Sequence, residues 1–426
     1  MAITIDQAPV TSGTPAYNPN IWVVDSNNKT QDNFKYVLDL YVQGESSYKR
    51  LKQSPHPDYG NAVFDLKGII QNYVSYNFAW DGSSNTIGTY AAANMPKQYT
   101  VKFGEEYGAS SGTTVYANLT SSSGLVWNAS LTYNDFVNYN FNNYNPDNNT
   151  SAKFFTTRPR HEIDINGNVT YAPTINYRQA NWLYFNNYNN QCGRVRVITY
   201  YSKNTSDVQA SYQINFQPTY SDFKDSFIRI AAGYNMTYIN NIYTSSTPPS
   251  LVSGIQMFSI QAYPSVGGAN SEIMYFYYNH DGVCSVNPVW TLYFLNPLGG
   301  FDYMTFTGAP TTKKNIERKF YKRNLGTQTA DSFTYSTSDF GRVPYNTTIK
   351  EELKLVSDWV TEDEHAWLFD LMSSPVVFGV KDYDYTNIYA LSVKSVDYTE
   401  KTDAKDMLYN IEVLAEYSHT NTRQSW

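Results

Sequence analysis

The chain has little cysteine, histidine or charge, and each shortage removes a class of chemistry. Its two cysteines, Cys192 and Cys284, lie far apart and in no metal-binding spacing. Two reduced, packed thiols are the expectation, with a disulfide between them as the alternative. The five histidines (His56, His161, His280, His365, His419) stand singly and next to no cysteine, so no metal and no cofactor is expected. There is no GxSxG, no P-loop, no GxGxxG behind a strand and no HExxH, and HEID at His161 has the wrong spacing for two helical ligands. NQCGR at Cys192 has a superficial cysteine-protease look, but it opens a strand and reads as a packed thiol. Charged residues make up 16% of the chain and the net charge is -7, which gives no field to draw nucleic acid. No apolar run approaches the ~18 residues needed to cross a bilayer. MAITIDQAPV lacks a charged segment followed by an apolar one, so synthesis in a cytoplasm without a leader is expected.

What is abundant is aromatic: 16% of residues, with 40 Tyr, in a background of Asn, Ser and Thr punctuated by 23 Gly and 18 Pro. Aromatic and β-branched residues between such punctuation favour strands, so a mainly β chain is predicted. Its 426 residues exceed one ordinary core, so several domains are expected. The prediction is two antiparallel β-sandwich-like domains, residues 1–151 and 152–306, then a small α+β domain, residues 307–426.

In the first region FKYVLDLYVQ alternates, with Phe34, Tyr36, Leu38, Leu40 and Val42 on one face and Lys35, Asp39 and Gln43 on the other. It reads as a half-exposed strand, joined in a hairpin to IWVVD (Ile21 to Asp25) by a long polar loop. FDLKGIIQNYV has helical spacing behind an Asp65 cap. The Asn- and Tyr-rich stretch from Thr132 to Thr150 has no assignable period and reads as a loop or linker. The second region is a run of strands: RVRVITYYS, ASYQINF, SFIRIAAGY, GIQMFSIQAY, SEIMYFYYN and, last, VWTLYFLN. An internal repeat is also visible. IWVVD, an Asn-rich gap and an alternating strand around Trp22 recur as NWLYF, NNYNNQCG and RVRVITYY around Trp182, which compositional bias alone also produces. In the third region TEDEHAWLFDLMSSP is a helix with a capping box, Thr361 and Glu364, and an apolar face of Trp367, Leu368, Leu371 and Met372.

A paired-carboxylate glycosidase has candidates in Glu105, Glu106 and Asp302, but nothing in the sequence places two of them at one site. KKNIERKFYKR sets Lys313, Lys314, Arg318, Lys319, Lys322 and Arg323 against Glu317 alone. It reads as a solvated face, as contact with phosphate or an acidic protein surface, or as charge that keeps an exposed sheet edge from pairing.

Three groups of motifs carry a family resemblance. The N-terminal APVTSGTPAYNPNIWVVDSNN, NFKYVLDLYVQG and RLKQSPHPDYGNAVFDLKGIIQNYVSYNF, the central FFTTRPR, and VWTLYFLNPLGGFDYMTFTG with the later WLFDLMSSPVVFGV resemble virion proteins of tailed phages that infect Bacteroidetes, including crAss-like phages. The resemblance implies a structural component of the neck or tail, assembled as a ring between portal and tail tip in the host cytoplasm. Such a subunit must offer rigid aromatic surface to its neighbours, which Tyr does at low entropic cost. The residues expected at such contacts are Tyr293, Phe294, Leu298, Gly299, Gly300 and Phe301 around the Pro297–Gly300 turn, with Lys319, Lys322, Arg323 and Trp367; the alternative for each is an ordinary core or surface position. The expected partners are copies of the chain in a six- or twelve-fold ring and other neck or tail proteins, with no membrane span and no sequence-specific nucleic acid. A receptor- or glycan-binding tail module is the second reading, and a secreted Asn-rich surface protein or hydrolase the third.

Overall fold

The architecture follows from which strand faces are buried. A computed structural model describes residues 3–10, 13–78, 90–92, 95–108, 115–146, 151–187, 192–216, 227–237, 243–244, 249, 251–264, 268–269, 271–280, 286–394 and 409–423. The chain forms two compact units, Met1–Gly282 with Leu295–Asp302, and Val283–Phe294 with Tyr303–Trp426.

The first unit opens with β1 (Ile3–Gln7), β2 (Thr14–Pro15), β3 (Ile21–Ser26), β4 (Lys35–Val42), β5 (Lys49–Gln53), β6 (Ala62–Asp65), β7 (Tyr90–Ala91), β8 (Pro96–Tyr107) and β9 (Val115–Trp127). One sheet has the order β1-β3-β6 and the other β2-β9-β8-β4-β5. Trp22, Val24 and Phe64 of the small sheet meet Tyr36, Leu38, Leu40, Val101 and Phe103 of the large one in a single core. Trp22 lies 5.7 Å from Phe103 and edge-on to Tyr99. β3 and β4 therefore face each other from two sheets and do not form the expected hairpin. β4 is not half exposed either. It is an inner strand, and its second face is closed over Val37 and Asp39, both buried.

The wiring then recurs. After β10 (Glu162–Ile163) and β11 (Val169–Tyr171) come β12 (Thr174–Asn176), β13 (Trp182–Asn186), β14 (Arg194–Tyr200), β15 (Val208–Phe216), β16 (Phe227–Ala231), β17 (Tyr243–Thr244), β18 (Met257–Tyr263) and β19 (Met274–Asn279). Their sheets are β12-β19-β18-β14-β15-β17 and β13-β16-β7. β13 pairs β16 as β3 pairs β6. β14 lies between β15 and β18 as β4 lies between β5 and β8. The short β12 runs parallel to β19 as β2 does to β9. Both sandwiches have an immunoglobulin-like connection order, with the chain crossing between layers at the Trp22 and Trp182 motifs. The sequence repeat is thus a repeat of topology.

No unit boundary falls near residue 151. β7, from the first sandwich's stretch of chain, pairs β16 of the second. Trp127, at the end of β9, contacts Phe141, Phe155 and Phe227, and Phe155 stacks on Phe227 at 4.8 Å. The Asn- and Tyr-rich stretch packs here instead of looping freely. It forms α2 (Tyr133–Val137), capped by the Thr132 hydroxyl, and a 3-10 turn (Phe141–Tyr144) capped by Asn140. Earlier, α1 (Lys67–Ile70) starts where the Asp65 carboxylate accepts from the Lys67 N–H at 3.0 Å.

The second unit is built on β20 (Trp290–Leu295) and β21 (Phe301–Phe306), whose residues Leu295, Phe301 and Asp302 belong to the first unit, and on β22 (Thr311–Lys322), β23 (Thr327–Gln328), β24 (Phe333–Thr334), β25 (Arg342–Val356), β26 (Val377–Lys381), β27 (Ile388–Val393), β28 (Glu412–Tyr417) and β29 (Asn421–Arg423). One sheet runs β21-β20-β26-β27-β28-β25-β22, with β29 also on β25. β20 was expected to close the second sandwich; it pairs β26 instead, Trp290 opposite Lys381 through Phe294 opposite Val377. α3 (Glu362–Trp367), with the Thr361–Glu364 capping box, and α4 (Phe369–Ser373) cover one face through Trp367, Leu368 and Leu371.

Trp127→Ala should lower the stability of the first unit by about 3–5 kcal/mol, because the indole is fully buried among four rings. Tyr133→Ala, at an exposed site, should change it by less than about 0.5 kcal/mol in the same chemical denaturation series.

Candidate functional site

The Pro297–Gly300 turn, expected as contact surface, is interior. Asn296 organises it: its side-chain oxygen accepts from the N–H groups of Leu298 (3.0 Å) and Gly300 (3.1 Å), while its amide donates to Phe155 O and to Asp302. Leu298 is buried and its carbonyl accepts from the Trp127 indole at 3.1 Å. A Cβ on Gly299, where φ is +88°, would stand 2.0 Å from Asn128 O, and one on Gly300 2.3 Å from Phe155 O. Phe301 packs against Tyr76, Phe78 and Tyr184. Asp302 accepts from Thr156, Thr157 and Asn296 and serves as an anchor for this loop. In the second unit Tyr293 and Phe294 are buried in β20 and Trp367 in α3. The Tyr293 hydroxyl lies 3.0 Å from that of Tyr385, and burial beside other tyrosines holds its pKa well above the usual value. Phe294 contacts Trp367 at 5.4 Å. These seven residues are core because the apolar pattern that suits an interface also suits a sheet face covered by the chain's own helices.

Lys319, Lys322 and Arg323 are placed differently. β22 and β25 form a long antiparallel ribbon, Thr311 opposite Lys354 through Lys322 opposite Arg342, with a bulge after Lys319. β28 covers the edge of β25 at Glu352–Val356 and β29 at Thr347–Ile349; beyond Asn346 the ribbon has two strands. Its tip carries the short β23–β24 pair. The three basic residues lie on this arm and are exposed, as are Ile316, Phe320, Tyr321, Leu325, Phe333, Tyr335, Phe340 and Tyr345. Lys313 and Lys314 reach Glu352 and Glu351. The Arg342 guanidinium lies over the Phe320 ring at 4.7 Å.

The other candidate carboxylates, the histidines and Cys192 sit in structural contacts. Glu105 and Glu106 are consecutive in β8 and point to opposite faces. Glu105 is buried with Ser26 and Asn28, and Glu106 pairs Lys52. Each histidine sits against a tyrosine ring: His56 on Tyr59, His161 on Tyr275, His280 on Tyr177, His365 on Tyr409 and His419 on Tyr417. Among the described residues no three His, Cys, Asp or Glu groups are placed to hold a metal ion. Burial pushes the Cys192 thiol up to about 12, against hydrogen bonds from backbone groups. Cys284 lies outside the described residues. On the outer face of the first sandwich's large sheet the buried Asp39 carboxylate takes both Arg50 Nε (2.7 Å) and Nη2 (2.8 Å). Beside it is a concavity of about 420 Å³ lined by Tyr41, Gln43, Gln98, Thr100 and Ser123.

Among the described residues no helix is long and apolar enough to cross a membrane. No protein-family model and no curated protein matches the sequence. Among solved structures, a crystal structure of Dpr2 Ig1-Ig2 in complex with DIP-Theta Ig1-Ig3 aligns at 7% identity and a TM-score of 0.17, over 98% of this chain and 90% of that one. A superposition that loose carries no argument; the fold assignment rests on the strand pairings.

Gly299→Ala should destabilise the first unit by about 3 kcal/mol or more, since a left-handed backbone and a carbonyl clash act together. Gly44→Ala, at φ +89° with no atom near its Cβ, should cost only about 1–2 kcal/mol. Denaturant midpoints of the two variants measure the difference.

Proposed function

We propose that the chain is a structural subunit of a tailed-phage virion, one copy in a closed homo-oligomeric ring of the neck or tail between portal and tail tip. It works by contact alone, with no catalytic step and no cofactor. The β22–β25 arm carries this reading. A chain that folds by itself has no use for a two-stranded ribbon whose aromatic and basic side chains face solvent on both sides, whereas a subunit awaiting neighbours does. The resemblance of the N-terminal, FFTTRPR and turn motifs to virion proteins of Bacteroidetes phages supports the same conclusion. The partners are then copies of this chain and other neck or tail proteins, and the place of action is the virion, assembled in the host cytoplasm.

A second reading, a receptor- or glycan-binding tail module, draws on the Tyr41–Gln98 concavity. Its mix of tyrosine with amide and hydroxyl groups suits a saccharide.

Negative-stain imaging of the purified protein should show closed six- or twelve-membered rings. Trimers whose melting temperature rises with an added host glycan, an effect lost in Tyr41→Ala, would replace the ring reading with the second one.

A further inference from the structure

Apolar side chains recur on the arm beyond the core of the second unit. Strand alternation puts Leu353, which is buried, on the same face of the ribbon as the Ile316–Ile349 pair and then the Phe320–Pro344 pair. Ile316 is 51% exposed and Phe320 is exposed too, so apolar side chains recur along this face of the arm, alternating with the Lys314–Glu351 and Arg318–Thr347 pairs. The arm is also distinct in charge. Residues 311–345 hold seven Lys and Arg against three acids, a net of +4, in a chain of net charge -7, which leaves -11 on the remainder. Among the described residues, Arg318, Lys319, Lys322 and Arg323 make no ion pair.

A complementary surface exists on the same unit. Residues 358–370 contain Asp358, Glu362, Asp363, Glu364 and Asp370 and no Lys or Arg. Trp359 stands 62% exposed among them, and Phe369 is exposed as well. This segment has the opposite charge to the arm and the same aromatic character.

We infer that the β22–β25 arm of one chain docks on the acidic, aromatic segment 358–370 of a second copy. The arm's basic residues meet Asp358, Glu362 and Asp363, and Phe320 lies against Trp359. Because donor and acceptor are different surfaces, the contact is head-to-tail: each copy gives one arm and receives one, and the chain of contacts closes when the rotation permits. This rests on the ring reading above and names the contact that makes the ring.

The test is charge reversal in the full chain. Lys319→Glu, Lys322→Glu and Arg323→Glu together, or Asp358→Lys, Glu362→Lys and Asp363→Lys together, should each weaken assembly by at least about 100-fold in sedimentation or mass photometry. Both sets in one chain should restore it. Melting curves of the monomers check folding, and a photo-crosslinker at Phe320 should label the peptide containing Trp359 of another copy. Wild-type rings that survive either reversal, or loss without restoration in the sixfold variant, overturn the arm contact and leave the ring reading standing. A wild-type chain that stays monomeric at all concentrations overturns the ring reading as well.

Discussion

An apolar sheet face has to be covered, and in this chain the covering is done almost everywhere by the chain itself. Trp22 and Phe64 cover the large sheet of the first sandwich. Trp127, Phe155 and Phe227 tie the two sandwiches into one unit. Trp367 and Leu371 cover the second unit's sheet. Among the described residues the β22–β25 arm departs from that rule along its length, and the proposed function rests on that departure. A ribbon of two strands gains little from its own pairing in water, and the proposed function gives its exposed rings and positive charge a surface to meet.

The sequence carried the element types well and the partnerships poorly. Alternation in FKYVLDLYVQ and RVRVITYY named β4 and β14, and the Thr361–Glu364 box named the start of α3, because those signals are local. The repeat around Trp22 and Trp182 was visible as spacing and is realised as two sandwiches of one wiring. Which sheet a strand joins is decided by distant residues. IWVVD and FKYVLDLYVQ have the pattern of a hairpin, yet the polar segment between them crosses from one layer to the other. β20 reads as one more strand of the series before it, and its partner β26 lies beyond the whole arm in sequence.

The same limit explains the candidate residues. Tyr293, Phe294, Leu298, Phe301 and Trp367 have the aromatic and aliphatic character of an interface and of a core alike, and burial separates the two. Gly299 and Gly300 mark a tight approach of backbones, which the turn sequence announces, whereas Asn296, which holds four partners, is not among the residues that the pattern singles out. Its signal was the Asn-Pro step. Lys319, Lys322 and Arg323 stand out in the sequence by their charge. The length of the ribbon that carries them is not legible in the sequence, because Lys and Arg fill five of the twelve β22 positions and fall on both faces, so the segment does not alternate as a half-buried strand does.

The account makes the chain part of a particle. Quantitative mass spectrometry of gradient-purified phage measures that directly. The account predicts the chain in intact particles at a fixed copy number matching one ring, and its presence only in the particle-free lysate would contradict it.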